Sequence, residues 1–136
     1  MEPQYDPSKL TLSLDQIEGR ARPARIAATP IARRCDNVRA APLGTLKAGD
    51  LGMLIGQHIA LDIVVPRAIE LLEETPLITG DDFPGDLLGS VLRIEQEFWL
   101  RHPRWHGRVA AIADRVASAP EEIAAELQEF PRTLTA

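Results

Sequence analysis

Between residues 51 and 72 the inward-facing positions return at intervals of three and four: Leu51, Leu54, Ile55 and His58, then Val65, Ala68, Ile69 and Leu72. That spacing lines one face of a helix with about 3.6 residues per turn and does not fit the alternation of a half-buried strand. It predicts buried helices near 48–59 and 62–74. Gly49, Gly52 and Gly56 each weaken the first by roughly 1 kcal/mol against alanine, and three glycines on one helix point to close packing. Pro66 fits the second helix only in or near its first turn. On the apolar face, His58 reads as a hydrogen-bonded core residue.

The rest of the chain carries the same punctuation. Ser13 with Gln16 forms a capping box for a helix near 13–18, which Gly19 can end. Residues 20–28 show no periodicity and read as a loop. Thr29-Pro30 opens a helix near 30–40 with Ile31, Cys35 and Val38 inward, stopped by Pro42. Leu87, Leu88, Val91 and Leu92 face inward on a helix near 84–92. Phe98 and Trp99 lie on one near 95–101, which His102-Pro103 breaks. Val109, Ile112, Ala113 and Val116 define a helix near 104–117, and Ser118 with Glu121 is a second capping box opening a last helix through Ile123 and Leu127.

No alternating pattern of useful length and no repeat interrupts this series. Aromatic residues make up 4% of a chain that is 45% hydrophobic, so the interior is built from Leu, Ile, Val and Ala, a mixture that favours helices. The expected fold is all-α, a compact single-domain bundle of about six or seven short helices. With 136 residues the whole chain, 1–136, fits one domain, with residues 1–9 expected as a flexible N-terminal stretch.

The longest apolar run, 51–65, is shorter than the ~20 residues of a membrane span and is broken by Gln57, His58 and Asp62, so no membrane association is expected. The single cysteine and the polar, acidic stretch 1–15 set the expectation of a reducing cytoplasm. The formal net charge of −5 disfavours direct nucleic-acid binding, which needs surplus Lys and Arg. The charge is unevenly spread. Arg20, Arg22, Arg25, Arg33, Arg34, Arg39 and Lys47 face a single acid, Asp36, whereas Glu70, Glu73, Glu74, Asp81, Asp82 and Asp86 occupy a stretch, 68–92, with no base.

Few residues suggest chemistry. Asp82 and Asp86 flank Pro84 at a helix start, where carboxylates accept orphan backbone N–H bonds, and the stretch does not supply the ligand pattern of a calcium loop. Glu70, Glu73 and Glu74 crowd one helical face, and the last two lie at the negative end of the dipole, a conflict worth a few tenths of a kcal/mol per exposed pair. A solvated face accounts for them, as does a surface aimed at a basic partner. His102 and His106 are four apart but lack the further ligands of a zinc site. Cys35 is favoured as a packing residue, although Arg33 and Arg34 could lower its pKa if it were exposed. Trp99 and Trp105, near Phe98, are core or interface anchors, with core favoured. The basic segment lacks interleaved aromatics and reads first as a solvated or internally balanced face. No metal, no cofactor and no catalytic residue is assigned.

The ordered pieces "LSLDQIEG", "RRCDNVRAAPLGTL", "DLGMLIGQHIALDIVVPRAIELLEE", "GDDFPGDLLGSVL" and "EFWLRHP" cover residues 12–103. In their order and spacing they resemble the immunity proteins of bacterial contact-dependent growth inhibition (CDI) systems. The chain departs from the family pattern at Gly49 and Gly52, where charged helix formers are more usual. The resemblance implies a cytoplasmic protein without catalysis of its own that binds and neutralises the C-terminal toxin domain delivered by a neighbouring cell, commonly a nuclease. Joined to the charge distribution, it makes Glu70, Glu73, Glu74, Asp81, Asp82 and Asp86 candidate toxin contacts, with Phe83 as an apolar anchor. The motif "GDDFPGD" equally suits a helix-starting turn that preserves the scaffold while contacts lie elsewhere. The other function classes are a regulatory protein binding nucleic acid through the basic 20–47 region, and a small hydrolase using Asp or His groups, for which no coherent constellation exists.

Overall fold

The computed structural model describes residues 7–116 and 118–134. Among them are eight α-helices, two more than the lower end of the expected range, and no named strand. They are α1 (Leu14–Glu18), α2 (Pro30–Ala40), α3 (Ala48–Gly56), α4 (Leu61–Glu74), α5 (Asp86–Leu92), α6 (Gln96–Arg101), α7 (Pro103–Asp114) and α8 (Glu121–Glu129), with short 3-10 turns at Pro7–Thr11 and Leu43–Thr45. The first of these turns takes in residues 7–9 of the stretch expected to be flexible; residues 1–6 lie outside the described residues.

The local signals act as expected in most places. Ser13 Oγ accepts from the Gln16 N–H at 3.1 Å while the Gln16 side chain accepts from the Ser13 N–H at 2.8 Å, so α1 begins in a capping box. It ends at Gly19, whose φ of 67° lets Arg20 N–H reach back to the Asp15 carbonyl at 2.8 Å. Thr29 caps α2, with Pro30 in its first turn. Leu87, Leu88, Val91 and Leu92 are all buried on α5.

Four expectations need correction. Helix α3 stops at Gly56, and His58, far from being buried, is exposed with φ of 58°. His58 N–H bonds the Ile55 carbonyl and Ile59 N–H the Leu54 carbonyl at 2.9 Å, the paired bonds of a Schellman turn with histidine where glycine is usual. Those bonds satisfy the last carbonyls of α3, which outweighs the cost of a side chain in left-handed backbone. Pro66 lies beyond the first turn of α4; the carbonyl that loses its partner four residues back belongs to Asp62, an exposed residue. Ile31 is 44% exposed rather than inward. The expected box at Ser118 and Glu121 does not form: α8 starts after Pro120 with no side-chain cap, its fixed φ taking over the task of setting the helix entry.

Helix α3 occupies the centre, packed against α4 and α5; α4 also packs on α7, α5 on α8, and α1 on α2. Of the three α3 glycines only Gly49 answers the expectation of close approach, since a Cβ there would stand 2.1 Å from Asp81 Oδ1. Gly52 makes ordinary contacts and Gly56 faces open space. At the α5–α8 crossing a Cβ on Gly89 would meet Ile123 Cγ2 at 2.7 Å, so the missing side chain sets how closely the two helices pack.

An aromatic cluster fastens α6 and α7 to the C-terminal segment. Phe98, Trp99 and Trp105 are buried, with Trp99 Nε1 donating to the Ile94 carbonyl at 3.2 Å. His102 stacks on Trp105 at 4.1 Å, and His106 stacks on Phe130 while its Nε2 lies 2.7 Å from the Pro131 carbonyl. The two histidines are thus packing residues, and among the described residues no three His, Cys, Asp or Glu side chains gather as metal ligands. Cys35 is buried with its Sγ 3.3 Å from Met53 Sδ, and burial pushes its thiol pKa up. No helix of the described residues is long and apolar enough to cross a membrane.

Candidate partner-binding surface

The stretch 79–86 folds into a loop organised by one carboxylate. Asp86, in the first turn of α5, accepts from the N–H of Gly80 at 2.6 Å, Asp82 at 2.9 Å and Phe83 at 3.4 Å. The donors come from the loop itself, not from the free N–H groups of α5. A Cβ on Gly80 would stand 2.8 Å from Asp86 Oδ1. Gly85, with φ of 90°, precedes the helix, and its N–H reaches the Leu77 carbonyl at 3.1 Å. Both glycines and the last aspartate of "GDDFPGD" therefore have scaffold tasks.

Asp81 has one as well. Its carboxylate receives two bonds from Arg34 of α2, at 2.6 and 3.2 Å, and Arg34 also reaches Asp50 of α3 at 3.1 Å. The single guanidinium ties α2, α3 and the loop together. Its bond to Asp81, opposed by burial and supported by Asp50, holds its pKa above the ordinary value. Asp82 is exposed and forms no ion pair among the described residues. Phe83 is half-buried beside it. Together with Gly49, Gly52, Leu87 and Ser90 they line a cleft of about 180 Å³ between α3 and α5.

The glutamates of α4 divide similarly. Glu70 pairs with Arg67 at 3.0 Å. Glu73 takes a two-pronged contact from Arg108 of α7, at 2.6 and 3.1 Å, while Arg115 donates to the Glu73 carbonyl at 2.8 Å and caps the end of α4. The unfavourable dipole end is offset by cations from α7 and the residue that follows it. Glu74 is exposed and has no ion-pair partner among the described residues. Of the seven candidate contacts, the fold leaves Glu74, Asp82 and Phe83 without a charge-balancing or loop-closing task.

The bond from Arg108, working against partial burial, holds the Glu73 carboxyl below its usual range. A depressed carboxylate contributes stability that is present above its unfolded pKa and lost as the pH falls through the folded one. Glu73→Gln is therefore expected to lower stability at neutral pH by less than about 1 kcal/mol, because the pair is partly solvated. Its deficit relative to the parent should persist through the ordinary carboxylate range and shrink only at lower pH, as Glu73 itself takes up a proton in the folded protein. Urea unfolding in a pH series from neutral down to the acid limit of the folded state measures both; a deficit that stays constant over the whole series rules out the ion pair as its cause.

The basic segment is only partly balanced. Arg39 is buried against Asp15 at 2.9 Å and against Glu18, joining α2 to α1, and Arg34 is engaged as described. Sequence reasoning left both among a group of undistinguished bases. Their partners lie in other elements, and periodicity within one helix carries no signal for such pairs.

A family model described as CDI immunity proteins matches residues 16–109, more than two thirds of the chain. No curated protein matches it. The matched span runs from Gln16 in α1 to Val109 in α7 and includes α3, α4, the Asp86-organised loop and the aromatic residues of α6. The chain belongs to the family of CDI immunity proteins.

Proposed function

We propose that this protein acts in the cytoplasm by binding the cognate C-terminal toxin domain of a CDI system and holding it inactive, with no catalysis of its own. The observation that carries the reading is the family match over residues 16–109. The toxin is read as a nuclease. An acidic surface speeds encounter with a basic nucleic-acid cleft and, seated on it, excludes the phosphate chain.

Glu70, Glu73, Glu74, Asp81, Asp82, Asp86 and Phe83 form the proposed contact set, with roles divided by their neighbours. Glu74 and Asp82 supply uncompensated charge and Phe83 the apolar edge. Glu70, Glu73 and Asp81 carry guanidinium partners, so their net contribution to the field is smaller. Asp86 holds the loop that presents Asp82 and Phe83.

Co-expression with the C-terminal domain encoded by an adjacent upstream adhesin gene, followed by purification through a tag on one partner, tests the reading. A one-to-one complex with rescue of growth supports it; continued killing without a complex rejects it for that pair. The double reversal Glu74→Lys with Asp82→Lys leaves every internal ion pair intact. It is expected to slow association about tenfold at low salt, with the difference shrinking as salt rises. Unchanged association at both low and physiological salt removes the acidic strip from the interface.

A further inference from the structure

Two sets of arginines in this molecule contrast with one another. Arg34, Arg39, Arg67, Arg93, Arg108 and Arg132 each contact a carboxylate. Among the described residues, those of the loop before α2 and the first turn of that helix do not. Arg22 donates to the Asn37 side-chain oxygen at 2.6 Å and to the Asp36 carbonyl at 3.3 Å; Arg33 donates to the Ala28 carbonyl at 3.3 Å. These acceptors are neutral, so both guanidiniums keep their full charge. Arg25 is exposed and forms no ion pair among the described residues.

Beside these charges stands Ile26, 86% exposed, with Ile31 at 44% on the adjoining turn of α2. The loop and α2 enclose a recess of about 360 Å³ lined by all three arginines, with Asp36 as the one acid among the described residues that line it. A chain with net charge −5 thus concentrates cations that lack an ion-pair partner among the described residues around an apolar side chain that those residues leave 86% exposed. Like-charge crowding and an exposed isoleucine both disfavour the free state and are relieved together by a ligand carrying carboxylates next to an apolar residue.

We infer that the 20–28 loop and the adjoining face of α2 form a second docking surface, which takes an acidic segment of the toxin domain. Arg22, Arg25 and Arg33 grip its carboxylates, and Ile26 seats against an apolar side chain of it. This rests on the toxin-binding reading and adds to the acidic surface a patch of opposite sign. Two patches of opposite charge fix the orientation of docking, since the reversed arrangement brings like charges together. Protein fits the patch better than nucleic acid does: the loop offers no aromatic ring for base stacking, while its most exposed side chain is aliphatic.

The test is the affinity of the full chain for its cognate toxin domain at physiological salt, comparing the parent with Arg25→Glu and with Ile26→Ala. Both side chains are exposed, and unchanged thermal unfolding verifies that the variants are folded. Arg25→Glu is expected to weaken binding at least tenfold and Ile26→Ala several-fold, with Arg25→Lys retaining much of the parent affinity. Parent and variants binding alike overturns the docking surface and leaves toxin binding standing. A parent that forms no complex overturns the toxin reading and this surface with it. Tight, steeply salt-dependent binding of a mixed-sequence single-stranded RNA that Arg25→Glu abolishes, with toxin affinity untouched, assigns the patch to nucleic acid instead.

Discussion

Arg39→Ala is expected to cost about 3–5 kcal/mol of folding stability, the range for removing one partner of a buried ion pair. The Arg39 side chain is 6% exposed and that of its neighbour Asp15 is 11% exposed. Burial favours loss of the Arg39 proton, yet the bonds to Glu18 and Asp15 outweigh it and raise its pKa, so the charge is secure. Once Arg39 is gone, the Asp15 carboxylate is left in a buried setting with no cation, while partly exposed Glu18 can turn to water. The cost thus lies mainly in the stranded aspartate. Arg39→Met restores the apolar stem but should remain destabilised by a similar amount. Adding Asp15→Leu to Arg39→Met is expected to recover most of the loss. Urea unfolding with an unchanged m-value measures all three; a small loss for Arg39→Ala, or no recovery in the double variant, contradicts this account of α1 and α2.

The second large effect is expected at Asp86. Its carboxylate is the common acceptor for three loop N–H groups, one of them at 2.6 Å, and charge-assisted bonds of this kind are worth more than neutral ones. Asp86→Ala should destabilise the protein by about 2–4 kcal/mol, since it leaves the donors of a half-buried loop without their acceptor. Asp86→Asn, which keeps one carbonyl oxygen, should cost about half as much. The loop also carries Asp82 and Phe83, so Asp86→Asn is expected to weaken toxin binding even under conditions where the variant is fully folded. Amide hydrogen exchange at Gly80 and Asp82 reports the loop directly. Protection that persists in Asp86→Ala assigns the loop geometry to Gly80, Gly85 and the Arg34–Asp81 contact instead.

These two residues differ in how far they could be read in the chain. Asp86 lies at a helix start after Pro84 and Gly85, so an acceptor of backbone N–H groups is expected there, and one is found. That expectation named the wrong donors. The carboxylate turns back to Gly80, Asp82 and Phe83 because left-handed Gly85 reverses the chain and brings the preceding loop over the first turn of α5. Nothing local marked Arg39 as different from Arg33, its neighbour six positions before. One faces α1 and is buried; the other lies on the outer face of α2.

The same division explains the candidate surface. Crowding of Glu70, Glu73 and Glu74 is visible in the sequence because it happens within one helix. Its relief is not visible, because Arg108 stands 35 residues away on α7. Asp81 likewise finds Arg34 across 47 residues. The acidic stretch therefore carries less free charge than its composition suggests, and the basic loop, where no carboxylate of the described residues comes within pairing distance, carries more.

By itself, the sequence determined the class of the fold, most helix positions and the family. The capping box at Ser13, the glycine stop at Gly19, the Thr29-Pro30 start and the periodicity of α3 to α5 all act over one or two turns, where backbone hydrogen bonding and side-chain spacing decide the outcome. Tertiary structure alone decided where α3 ends. Its turn closes on His58 just as α1 closes on Gly19, so only the former breaks the residue preference. It also decided which charges are spent inside the molecule. Ion pairing depends on distances of a few ångströms between side chains far apart in the chain, and those distances exist only after the helices have packed.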